Sequence, residues 1–161
     1  MAIPKTGRPE IPRFDSLEQK AYLALWRTYD RLRMLEDELF VGFDLTAQQY
    51  NLLRLLRAVQ KPVPTLALAE RLVSRAPDIT RMLDRLEGLG LITRARSATD
   101  RRTVLVAIDA AGLVLLDRIA APLRDCHRRQ LGHLSVTELE ALTALLKSAR
   151  APHEQPDSPW A

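Results

Sequence analysis

Four arginines, Arg94, Arg96, Arg101 and Arg102, gather around the single acid Asp100. Arginine is a planar, permanently charged donor that suits phosphates and base edges. Such a cluster can grip an anion or simply keep a loop soluble. Just upstream, Thr80, Arg81, Asp84 and Arg85 recur at helical spacing opposite the apolar Ile79, Met82, Leu83 and Leu86. Pro77 falls in the first turn of that helix, where its missing donor costs little. A helix with small and basic residues on its outer side can enter a major groove, and a basic ribbon can reach a minor groove. Taken singly, each pattern is equally a solvated face, since pairs such as Arg81–Asp84 contribute only about 0.2–0.5 kcal/mol. Helix followed by ribbon favours nucleic acid over mere solubility.

Those residues need elements to carry them. "LITRAR" and "TVLVAI" alternate as strands do and flank the turn residues "SATDRR", which predicts a hairpin with its wing over 94–104. Asp100 is expected to fix that turn or to hold an arginine in place. Gly88 and Gly90 predict the end of the preceding helix, over about 76–88. A turn through Val73–Arg75 separates it from a short helix at Leu66–Leu72 behind a Thr65 cap. "KPVP" breaks the chain before that, because proline lacks a donor and restricts its predecessor.

Long helices flank this module. "SLEQ", "TAQQ" and "SVTE" each fit the capping-box pattern, in which a hydroxyl and a Glu or Gln three residues later satisfy orphaned backbone donors. They predict helices at Leu17–Phe40, Ala47–Val59 and Val136–Ala149. Asp109 predicts the cap of another helix running to Leu131, with Leu113, Leu116, Ala120 and Leu123 on one face and a kink at Pro122. Tyr22, Leu25, Trp26, Tyr29 and Leu32 line one side of the first helix. The terminal helices carry more apolar surface than one small module can cover, which predicts packing against a second copy. The expected fold is therefore mainly α with a small β-hairpin wing: a winged helix-turn-helix flanked by long terminal dimerisation helices. Its expected divisions are an extended arm at 1–15, a first dimerisation helix at 16–43, the winged module at 44–108, dimerisation helices at 109–150 and a disordered tail at 151–161.

Composition sets the outer bounds. The 161 residues are enough for one domain that needs no disulfide or metal to hold a core. Net charge is +4, and most of the 24 basic residues are arginine. A single cysteine excludes an internal disulfide framework and fits a reducing compartment. The N-terminal residues show no apolar signal segment, and no run approaches a membrane span of about 20 apolar residues. A cytoplasmic protein without membrane attachment is expected. No Gly-rich phosphate loop, HExxH or nucleophile elbow is present, so neither an enzyme nor a cofactor is expected. Cys126, His127 and His133 form no specific metal spacing, and Cys126 reads as structural.

The run "LALAERLVSRAPDITRMLDRLEGLGLITRARSATDRRTVLVAIDAAG" resembles the winged helix of the multiple-antibiotic-resistance regulator (MarR) family. The likeness rests on Thr80, Arg81, Asp84, Arg85, Leu86, Glu87 and Gly90 in the helix. In the wing and beyond it rests on Asp100, Arg102, Val104, Val106, Ile108 and Gly112. It extends over roughly Ser16 to Arg150. The resemblance implies a homodimeric transcription regulator on pseudo-palindromic double-stranded DNA, a repressor released by a small-molecule effector. Pro77, Thr80, Arg81 and Arg85 would then lie at the major groove. Arg102, with Arg101, would enter the minor groove from a wing that also carries Arg94 and Arg96, with Asp100 as the orienting partner. Two departures stand out: "VSRAP" lacks the usual inter-helix glycine, and Asp109 replaces the usual hydroxyl. Trp26, Tyr29 and Tyr50 could line a cleft for a small aromatic effector, or could be ordinary core. A winged helix used for protein–protein assembly without DNA is the other class that the same pattern permits.

Overall fold

The computed structural model describes residues 14–72 and 79–154. Pro77, the predicted inter-helix turn and residues 1–13 of the N-terminal arm lie outside the described residues, as does most of the C-terminal tail. Helices α1 (Leu17–Val41), α2 (Ala47–Val59), α3 (Thr65–Arg71) and α4 (Ile79–Gly88) are followed by strands β2 (Ile92–Arg96) and β3 (Val104–Ile108). Helices α5 (Ala110–Leu131) and α6 (Val136–Arg150) complete the chain, and a two-residue strand β1 (Val63–Pro64) precedes α3. The chain forms two compact units divided between Met34 and Leu35.

The first unit is the leading part of α1. Ser16 accepts the Gln19 N–H at 3.1 Å, but the Gln19 side chain accepts from the Asp15 N–H at 2.7 Å. The expected box is thus shifted back by one residue on its second arm. Tyr22 and Trp26 lie one helical turn apart with ring centroids 6.1 Å from each other. The side expected to be buried is open, with Tyr22 63%, Trp26 59% and Tyr29 60% exposed.

The second unit holds the core. Leu52, Leu53 and Leu56 of α2, Leu68 of α3, Leu83 and Leu86 of α4, Ile92, Val106, and Leu116 and Ile119 of α5 are all buried. On α5 the buried stripe runs through Ile119 rather than Ala120, and Leu113 is exposed, so the face is rotated slightly from the expected one. The helix passes through Pro122 as one element. Both remaining capping boxes form, at Thr46/Gln49 and Ser135/Glu138. Thr46→Ala is expected to cost about 1 kcal/mol by orphaning the Gln49 N–H, read as a shift in denaturant midpoint without a change in slope.

The sheet order is β1-β3-β2, antiparallel throughout. Arg94 stands opposite Val106 and Arg96 opposite Val104. The "KPVP" break therefore hides an edge strand, Val63 pairing with Val106, and an edge is where a sheet tolerates proline. This pairing also reassigns Thr65. Helix α3 starts at Thr65 itself behind a Pro64 N-cap that makes no side-chain bond. The Thr65 hydroxyl donates instead to the Val104 carbonyl at 3.2 Å, tying α3 to the wing. Gly90, at φ 68°, supplies the left-handed residue that turns the chain from α4 into β2. The C-terminal segment begins with a single 3₁₀ turn, Ala151–His153, and an Arg150–Glu154 ion pair at 3.0 Å.

Candidate nucleic-acid interface

The wing tip is built from its own short polar side chains. The Ser97 N–H donates to the Thr103 carbonyl at 2.9 Å, and the Thr103 N–H donates to the Asp100 carbonyl at 3.0 Å. The Asp100 carboxylate accepts the Arg102 backbone N–H at 3.0 Å and the Thr103 hydroxyl at 2.7 Å. These two bonds hold its carboxyl below the usual aspartate range, the Thr103 hydroxyl contributing most. Of the two roles expected of Asp100, the structure shows the turn-fixing one, and it acts through the backbone of Arg102 rather than its guanidinium. Arg96 donates to the Arg101 carbonyl at 3.2 Å, which stiffens the tip further. Arg101 and Arg102 are exposed, and among the described residues neither guanidinium has a carboxylate partner.

Arg94 is differently placed. Its side chain is only 25% exposed, and Nη2 lies 2.7 Å from Asp84 of α4. Nε donates to Glu87 at 2.9 Å, and Nη2 donates to the same carboxylate. One guanidinium therefore bridges two acids a turn apart on α4, riveting the wing strand to the helix with the strong geometry of charge-assisted bonds. Sequence spacing suggests Arg81 as the partner of Asp84, and the structure gives Arg94. Hydrogen bonding from Arg94 lowers the Glu87 pKa more than desolvation raises it. A depressed carboxylate stabilises the fold above its unfolded-state pKa, and that contribution is lost as pH falls through the folded value. Thermal stability of the wild type is expected to fall below about pH 4.3, the ordinary glutamate value, more steeply than that of Glu87→Gln. Parallel acid titrations that superimpose would remove Glu87 as a source of the acid sensitivity.

Arg85 is also engaged, with Nη2 lying 2.6 Å from each oxygen of Asp44. Thr80 and Arg81 stand exposed at the start of α4. A cleft of about 620 Å³ opens between α3, the start of α4 and the wing, lined by Thr65, Leu66, Thr80, Arg94, Arg102 and Val104 among others. Of the predicted helix and wing residues, it brings Thr80, Arg94 and Arg102 to one concavity. Tyr50 is half-buried against Phe40, ring centroids 5.0 Å apart, as core packing would have it. Trp26 and Tyr29 belong to the first unit. Cys126 is buried, and its thiol is pushed up chiefly by desolvation and further by the charge of Glu36. That disfavours the reactive thiolate. Among the described residues no group of His, Cys, Asp and Glu could hold a metal, and no helix is long and apolar enough to cross a membrane.

A short helix, a second helix and a two-stranded wing, tied by Thr65 and Arg94, define a winged-helix protein. The profile of the MarR family matches residues 45–104. The transcriptional regulator HosA of Escherichia coli O157:H7 is 35% identical over 106 residues, covering 65% of this chain and 76% of that protein. A MarR transcription factor from Planctomyces limnophilus shares 54% identity and a TM-score of 0.67, covering 84% of this chain and 98% of that one. A mutant E. coli MarR complexed with operator DNA shares the fold, at 24% identity and a TM-score of 0.73 over 84% of this chain and 99% of that one. The chain belongs to the MarR family of transcriptional regulators.

Proposed function

We propose that this protein is a homodimeric, sequence-specific regulator that reads duplex DNA with α4 in the major groove and the wing in the minor groove. The observation that carries the reading is the wing tip: a turn stitched by Asp100 that leaves Arg101 and Arg102 exposed, with Arg102 sharing a cleft with Thr80 of α4. The contact set is Thr80, Arg81, Arg96, Arg101 and Arg102. Arg94 and Asp100 shape the wing that presents it. Minor grooves concentrate negative potential where they narrow, which suits an arginine on a stiff ribbon.

The dimer is supported by surface that one copy leaves open. Tyr22, Leu25, Trp26 and Tyr29 are exposed, and α6 buries no residue. A second copy would bury that surface and set the two recognition helices about one turn of DNA apart, roughly 34 Å. Repression, and release by a small-molecule effector, are the further parts of this proposal, and the family resemblance is what supports them.

Selection of bound duplexes from a random pool tests the proposal. An inverted repeat with half-sites about 10 base pairs apart is the expected product. Enrichment of single half-sites, or of nothing, contradicts it. Light scattering should give a species of twice the 18.2 kDa protomer mass.

A further inference from the structure

We propose that Asp44 and Arg85 form a positioning pair that sets the roll of α4 in the groove, and that Arg85 itself does not touch DNA. The inference rests on the DNA-reading role proposed above and deepens it.

Three observations converge. First, the contact is directed: a single guanidinium nitrogen of Arg85 lies 2.6 Å from both carboxylate oxygens of Asp44. It joins α4 to the corner between α1 and α2, 41 residues away in sequence. Second, that corner is stiff. Gly42, Phe43 and Asp44 donate back to the carbonyls of Leu39, Phe40 and Val41, and the Leu45 N–H also reaches Phe40, while Phe40 and Leu45 are buried. The carboxylate is therefore presented from a fixed point. Third, Asp44 holds φ 55°, in the left-handed region where glycine is the relaxed choice. An acid kept at a position that costs backbone energy points to a task for its side chain.

That task is not stability. The side chains of Arg85 and Asp44 are 52% and 68% exposed, and open ion pairs contribute little to folding. Geometry is what the helix lacks. Helix α4 meets the core through Met82, Leu83 and Leu86, all on one side. Apolar contact is non-directional and permits a small roll about the helix axis. Arg94 restrains that roll from the wing side through Asp84 and Glu87. The Arg85–Asp44 bond restrains it from the α1–α2 corner. A guanidinium already neutralised by a carboxylate releases no counterion from DNA, so Arg85 should be silent in the salt dependence of binding.

The test compares wild type with Asp44→Asn, Asp44→Gly, Arg85→Gln, the double Asp44→Asn/Arg85→Gln and the charge-exchanged Asp44→Lys/Arg85→Glu. Each full-length protein is titrated by fluorescence anisotropy against a duplex selected by the wild type and against random duplex, over a salt series, with melting temperatures alongside. Each single substitution is expected to lower the selected-to-random preference about tenfold. The double should be no worse than the worse single, and the charge exchange should recover most of the preference. Arg85→Gln should keep the wild-type salt slope, and Asp44→Gly should melt no lower than wild type. A slope reduced by about one for Arg85→Gln, with equal losses on both duplexes, would make Arg85 a phosphate contact and overturn the proposal. Full preference retained in Asp44→Asn and Asp44→Gly would overturn it too. Failure of the DNA-reading role shows separately, as a wild type that selects no duplex, and the positioning role falls with it.

Discussion

Arg102→Ala is expected to weaken binding to the selected duplex by about 1–3 kcal/mol while leaving the fold unchanged. The structure separates the two effects. The Arg102 backbone N–H is what Asp100 holds, at 3.0 Å, and alanine keeps that donor. Thr103 keeps its own bond to Asp100 at 2.7 Å, so the turn survives the substitution. What disappears is one exposed guanidinium at the tip. Loss of an arginine from the proposed minor-groove contact should also reduce the salt slope by about one, because one fewer counterion is displaced. An unchanged affinity would mean that the wing does not enter the groove.

Leu86→Ala acts through the opposite route. Leu86 is fully buried, between the helix that carries Thr80 and Arg81 and the core shared with α2 and the sheet. Removing its side chain is expected to cost about 2–5 kcal/mol, as transfer energy plus the cavity left behind. The Leu86 carbonyl also accepts the Leu91 N–H at 3.0 Å, so the exit from α4 into β2 sits on the same residue. Urea unfolding should show a lower midpoint with an unchanged slope. DNA binding should fall in step with the folded fraction and recover in conditions that restore folding. Binding lost while the protein remains fully folded would instead show that α4 has shifted within the native state.

How much of this was readable beforehand follows from the range of each interaction. The caps of α2 and α6 were legible because both partners lie three residues apart. The turn at Gly90, the cap at Asp109 and the hairpin strands were legible for the same reason. Strand β1 was not: two residues, one of them proline, carry no periodicity, and only Val106, far along the chain, makes Val63 a strand. Thr65 shows the same limit. Its local pattern is that of a cap, and β1–β3 pairing brings the Val104 carbonyl within reach instead. Among the candidate site residues, the sequence pointed to the arginines but not to their partners in the fold. Arg81, Arg85, Arg94 and Arg102 are alike as letters. The folded chain alone distinguishes Arg85, facing Asp44, and Arg94, bridging Asp84 and Glu87, from Arg102 at the open tip. Asp44 itself left only a faint signal, an acid next to a helix end where a glycine or asparagine would be unremarkable.

The most direct measurement is anisotropy of the wild-type protein on the selected duplex against random duplex, across a salt series with excess competitor DNA. Specific binding that resists competitor is expected, together with a steep fall in affinity with salt, since phosphate contacts would supply much of the free energy. Equal affinity for the two duplexes, or no binding to either at low salt, would contradict a DNA-reading role and leave the winged helix as an assembly module.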